Sequence, residues 1–159
     1  MRKIIIKKDK KDIEPLNNLL LQISQGTVNV NVSGLKGSAR SFLAAFLVER
    51  LDRPVLVVCP EEKEAAAFAR NLSVFLGGKT VFYYPSLDFL TVDMFALQKD
   101  EELMRLEVMS NLQVNNRIVV VASVMALMQK VTPVTEFSQY LQIISAGDTF
   151  NRDDFCVRL

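Results

Sequence analysis

The sequence predicts an α/β domain: a mostly parallel sheet flanked by helices, P-loop-NTPase-like, with a degenerate phosphate loop. Three observations predict it. The runs Val55-Leu56-Val57-Val58 and Ile118-Val119-Val120-Val121-Ala122 are wholly apolar, as strands covered on both faces are. Segments of helical period separate the strand-like runs, which calls for parallel strands joined by right-handed crossovers. A glycine-bearing loop, Gly34 to Ser41, joins a strand pattern to a helix pattern near the start.

Taken in order, residues 10–25 carry Ile13, Leu16, Leu19, Leu20 and Ile23 at spacings of three and four, one helical face, and Gly26 is a suitable stop. Val28, Val30 and Val32 alternate with Asn29 and Asn31, a period-2 strand. A helix follows over 38–51, with Phe42, Ala45, Phe46 and Leu47 inward. The run at 54–58 is the next strand. A helix over 61–76 has acids in its first turn, where they complement the dipole, and Gly77-Gly78 closes it. A strand at 80–84 leads to an aromatic and acidic loop over 85–96. A helix over 100–114 packs through Leu103, Leu106, Val108, Met109 and Leu112. The strand at 118–122 and a short helix over 124–129 complete the unit. Pro133 marks a boundary. Beyond it come a short helix at 136–140, a strand at 141–145, a turn at Ala146-Gly147-Asp148 and an uncapped helical start over 151–159. The expected organisation is therefore a helical segment over 1–26, the α/β domain over 27–132, and the truncated beginning of a second domain over 133–159.

Composition narrows the chemistry. The 159 residues are 50% hydrophobic and 23% charged, with mean hydropathy +0.19, which excludes disordered, collagenous and low-complexity chains. Lys+Arg 19 against Asp+Glu 18 leaves +1, too little for a global field that holds nucleic acid or anionic lipid. There is no histidine, so Ser-His-Asp and Cys-His nucleophiles, histidine bases and His-ligated metals are excluded together. Cys59 and Cys156 stand far apart without a CxxC partner, and Cys59 reads as a buried strand cysteine. No apolar stretch reaches the ~18–20 residues that span a bilayer, and the amino terminus is recharged too quickly for a signal peptide. The expectation is a soluble, cytoplasmic chain with no membrane partner. No catalytic or metal-ligating residue is predicted.

The loop Ser33-Gly34-Leu35-Lys36-Gly37-Ser38-Ala39-Arg40-Ser41 holds the candidate binding residues. Against G-x-x-x-x-G-K-[ST], Gly34 takes the first glycine and Ser41 the final hydroxyl. Ala39 stands in place of the second glycine, whose missing Cβ lets backbone N–H groups approach phosphate. Arg40 stands in place of the lysine, and a planar guanidinium does not reproduce a compact ammonium. The strand ends Val58-Cys59-Pro60 and Val121-Ala122-Ser123 offer no carboxylate for Mg²⁺; Glu61 reads as a first-turn helix residue. The expectation is a phosphate loop (Gly34, Gly37, Ser38, Ala39, Arg40, Ser41) with no functional cofactor site; weak anion binding at the helix start is the alternative. Asp88, Asp93, Asp100, Glu101 and Glu102 read as solvated loop and helix cap. Lys7, Lys8, Lys10 and Lys11, broken by Asp9 and Asp12, read as a solvated helix entry. Phe82, Tyr83, Tyr84 and Phe89 could stack on bases, but without a basic stripe beside them they read as core.

The order of these pieces resembles a known family. Gly34-Leu35-Lys36-Gly37-Ser38-Ala39-Arg40, the run at 54–58, Tyr84-Pro85 with the loop over 87–95, and Ile118 to Lys130 resemble the amino-terminal region of the bacterial transcription-repair coupling factors. That region is itself similar to the first domain of the excision-repair helicase UvrB. Gly-Ser-Ala-Arg resembles this family's own decay of the P-loop, whereas UvrB keeps Gly-Lys-Thr. Asp93 and Phe95 match a family run in which this chain lacks the usual tyrosine and histidine. The resemblance implies an ATP-driven double-stranded DNA translocase that displaces stalled RNA polymerase and recruits UvrA. ATP and Mg²⁺ would serve motor domains beyond residue 159, and most UvrA contacts would lie beyond 159 as well. The 159 residues would be an inactive scaffold and docking module with no cofactor. The alternative is a nucleotide-binding or nucleotide-hydrolysing domain in its own right.

Overall fold

The computed structural model describes residues 10–26, 29–51, 53–77, 80–87, 95–140, 147 and 149. Three strands form one parallel sheet, β1 (Val55–Cys59), β2 (Val81–Tyr84) and β3 (Val119–Ser123), in the order β1-β3-β2. β3 sits in the middle, with Val55 opposite Val119 on one side and Val81 opposite Val119 on the other. Its five residues are all buried, the outcome that an unbroken apolar run in a parallel sheet requires.

Six helices form among the described residues: α1 (Lys10–Ser24), α2 (Ala39–Val48), α3 (Glu62–Leu76), α4 (Phe95–Val114), α5 (Val124–Met128) and α6 (Val134–Tyr140). Strand alternation sorts the core into two layers. Val55, Val57, Cys59, Val119, Val121, Val81 and Tyr83 pack with Ala45 of α2 and with Ala65, Ala69 and Leu72 of α3. Phe82, Tyr84, Ile118, Val120 and Ala122 face the opposite way, against Val108 of α4 and Ala126 of α5. α3 carries the chain from β1 over β3 to β2, and Gly77 ends it at φ 75, a left-handed cap that glycine adopts without a Cβ penalty.

The parallel α/β architecture matches expectation, and three elements differ in detail. Residues 29–32 form no strand, and Val30 and Val32 are 37% and 43% exposed. Alternation makes a strand possible, but only a hydrogen-bonded neighbour makes one, and no described strand pairs with this segment. α4 begins at Phe95, inside the stretch expected as loop, because Ala96-Leu97-Gln98-Lys99 is a run of good helix formers. Asp100, Glu101 and Glu102 consequently sit within the helix and not at its cap. In α2 the buried residues are Ser41, Leu43, Ala45 and Phe46, while Phe42 meets Phe75 edge-on with ring centroids 5.9 Å apart. The expected strand at 141–145, the helical start over 151–159, Cys156, Asp88, Phe89 and Asp93 lie outside the described residues.

Candidate functional site

The residues expected as a degenerate phosphate loop lie where the chain enters α2. Gly34 and Gly37 both adopt left-handed backbone, at φ 83 and 54. Open space surrounds both, so the turn needs glycine for its dihedral angle and not for a close approach. The Ala39 N–H donates to the Lys36 carbonyl at 3.2 Å, and Ser38 precedes the helix without a side-chain cap bond. The Arg40 guanidinium pairs at 2.7 Å with the Glu64 carboxylate on α3. Ser41, in the position of a metal-binding hydroxyl, is 1% exposed and faces the protein interior.

A second cluster, which sequence reasoning missed, occupies the carboxyl ends of β2 and β3. In open parallel sheets that end is where ligands bind. Here a side chain of the protein fills it. The first residue of α3, Glu62, reaches across so that one carboxylate oxygen accepts from the Tyr83 hydroxyl and, at 3.0 Å, from the Ser86 N–H. The other accepts from the Ser86 hydroxyl at 2.9 Å and from the Ser123 hydroxyl. Burial pushes the Glu62 carboxyl up, but the bonds from Ser123, Tyr83 and Ser86 outweigh it, and its pKa falls below the ordinary glutamate value. Glu62 is therefore an ionised acceptor at neutral pH, not a proton donor. Burial raises the Tyr83 phenol, with the bond to Glu62 adding to the effect.

The network continues along residues 85–87. Ser123 also caps α5, accepting from the Ala126 N–H at 3.0 Å. Gln129 clasps Leu87 through both backbone groups, accepting from its N–H at 2.9 Å and donating to its carbonyl at 2.7 Å. Arg105, 8% exposed, donates to the Pro85 carbonyl at 3.1 Å and to the Gln129 amide oxygen at 2.6 Å. Its guanidinium lies 4.3 Å from the centroid of the Tyr84 ring. The sequence does contain a signal for this cluster: an acid at the start of the helix after β1, and hydroxyls at the ends of two other strands. What it lacks is any indication that the three places meet.

The remaining candidates fall out as follows. Cys59 is buried, as expected, and burial raises its thiol pKa, with Glu64 adding to the rise and Arg40 opposing it. Phe82, Tyr83 and Tyr84 pack in the core as expected. Among the described residues no helix is long and apolar enough to cross a membrane.

No family model matches the chain. Individual curated proteins do. The transcription-repair-coupling factor of Myxococcus xanthus is 32% identical over 137 residues, 82% of this chain and 11% of that protein. The transcription-repair-coupling factor of Bacillus subtilis is 22% identical over 149 residues, 94% of this chain and 13% of that protein. UvrABC system protein B of Colwellia psychrerythraea is 27% identical over 158 residues, 91% of this chain and 23% of that protein. The chain thus spans less than a quarter of the length of these relatives. Similarity over nearly all of its residues to both kinds of protein, on a parallel α/β sheet, makes this chain a UvrB-like region of the transcription-repair coupling factor family of DNA-repair proteins.

Proposed function

We propose that residues 1–159 serve as a scaffold and docking module of a transcription-repair coupling factor and do not themselves turn over nucleotide. The observation that carries this reading is the position of Arg40 and Ser41. The cation standing where a P-loop lysine would meet phosphate is paired with Glu64, and the hydroxyl standing where Mg²⁺ would be held is buried. The carboxyl ends of the strands support it, since the acid placed there, Glu62, is engaged by four donors. In this reading ATP and Mg²⁺ act in motor domains elsewhere in a longer protein, which works on double-stranded DNA and stalled RNA polymerase in the cytoplasm. The first part of a UvrA-docking domain begins near Pro133, and most of the UvrA-binding surface lies beyond residue 159.

Two measurements test it. Calorimetric titration of the 159 residues with ATP·Mg²⁺ is expected to show no saturable micromolar binding; such binding would instead make this a nucleotide-binding domain in its own right. In a pull-down, UvrA is expected to be retained weakly by residues 1–159 and strongly by a polypeptide extended through the docking domain. Equal capture by both would place the docking surface within the first 159 residues and overturn the division of labour.

A further inference from the structure

Four donors converge on one side chain at the carboxyl ends of β2 and β3. Among the described residues, the Tyr83 hydroxyl and the Ser86 N–H meet one oxygen of Glu62, and the Ser86 and Ser123 hydroxyls meet the other. Each oxygen thus accepts two bonds, which fills the lone-pair sites of the carboxylate. None of the four donors is charged. They match a single negative charge and the flat, two-oxygen shape of a carboxylate, whereas a dianion calls for a cation beside it.

The donors have anchors other than Glu62. Tyr83 is paired into the sheet opposite Val121, and Ser123 opposite Cys59. The Ser123 oxygen also accepts from the Ala126 N–H at 3.0 Å, which leaves its proton to turn toward the carboxylate. Ser86 stands between two tethered neighbours. Arg105 donates to the Pro85 carbonyl, and Gln129 binds both backbone groups of Leu87. Glu62 is only half-buried, so the place is open to solvent. We propose that the carboxyl ends of β2 and β3 form a preorganised carboxylate-binding site, filled in the intact chain by its own Glu62 and able to take a free small carboxylate once that side chain is cut back. Glu62→Ala removes a CH2–COO⁻ group, and acetate is that group with one hydrogen added. The inference stands apart from the docking reading, which the ATP and UvrA experiments test by themselves.

Thermal unfolding of the 159-residue chain in acetate and in chloride, at equal ionic strength and neutral pH, tests this. Acetate at about 100 mM is expected to raise the melting temperature of Glu62→Ala saturably, by about 3 °C or more. The parent and Glu62→Gln, whose site stays filled, are expected to shift by less than about 1 °C. Adding Ser86→Ala and Ser123→Ala to Glu62→Ala is expected to abolish the acetate effect. No shift in Glu62→Ala overturns the proposal. So do equal shifts in all three chains, or an effect that survives loss of both serines, since acetate then binds elsewhere. If Glu62→Ala is unfolded in chloride, acetate is expected to restore its fold, read by far-ultraviolet circular dichroism. A chain unfolded in both salts shows that the donors do not stand without Glu62, and overturns the proposal too. Phosphate is expected to act alike on all three chains; a larger shift of Glu62→Ala in phosphate than in acetate overturns the carboxylate assignment.

Discussion

At the scale of single residues, the chemistry of this chain is decided by which charged groups are already engaged. Glu62 holds Tyr83, Ser86 and Ser123 together, tying the start of α3 to the ends of two strands. Glu62→Gln replaces an acceptor oxygen by a donor and leaves hydroxyls of the cluster unmatched. It should cost about 2 kcal/mol, the usual range for hydrogen bonds to a charged group, read as a lower urea midpoint at unchanged slope. Because the folded carboxyl titrates below its unfolded value, its stabilisation is complete above the unfolded pKa of about 4.3 and is lost as pH falls through the folded one. Melting temperatures measured between pH 7 and pH 3 should therefore fall less steeply at the acid end in Glu62→Gln than in the parent chain. Arg40 is a contrasting case. Its pair with Glu64 is half exposed, so Arg40→Ala should change stability by less than about 1 kcal/mol.

At the scale of elements, strands and helices formed wherever pattern and neighbour agreed. β1, β2 and β3 lie within a residue of the runs that predicted them, and α3 ends at the expected glycine. Residues 29–32 show the limit: valine alternation fixes which side chains share a face, but a strand also needs backbone partners. α3 is the element on which the buried layer depends most, since Ala65 and Leu72 are fully buried in it. Leu72→Ala should cost about 2–5 kcal/mol, the cavity penalty for a core leucine, measured by urea unfolding. Gly77 sits at φ 75 with open space around it, so a Cβ there is opposed by backbone strain alone. Gly77→Ala should therefore cost about 1 kcal/mol, well below the core substitution.

At the scale of the whole molecule, charge balance governs behaviour toward nucleic acid. With 19 basic against 18 acidic residues, the 159-residue chain should bind duplex DNA no better than the nonspecific range, with Kd about 10⁻⁴ M or weaker at physiological salt. Fluorescence anisotropy across a salt series checks this; sub-micromolar binding with a steep salt slope would reveal a basic face that the net charge conceals.

The sequence by itself determined the α/β class, the places of β1, β2 and β3, and the burial of Cys59. Each of these rests on local pattern: unbroken apolar runs, helical spacing and the glycine loop. Tertiary structure decided the rest. Motif spacing sets Arg40 where a P-loop would carry lysine, but only packing α2 against α3 brings it to Glu64. Nothing local marks Glu62, one of three acids near the start of α3, as the residue that receives four donors from segments up to 61 positions away. Apolar periodicity is written along the chain because burial constrains every residue of an element. A polar cluster is not, because it needs one residue from each of several elements, and only the fold sets which ones meet.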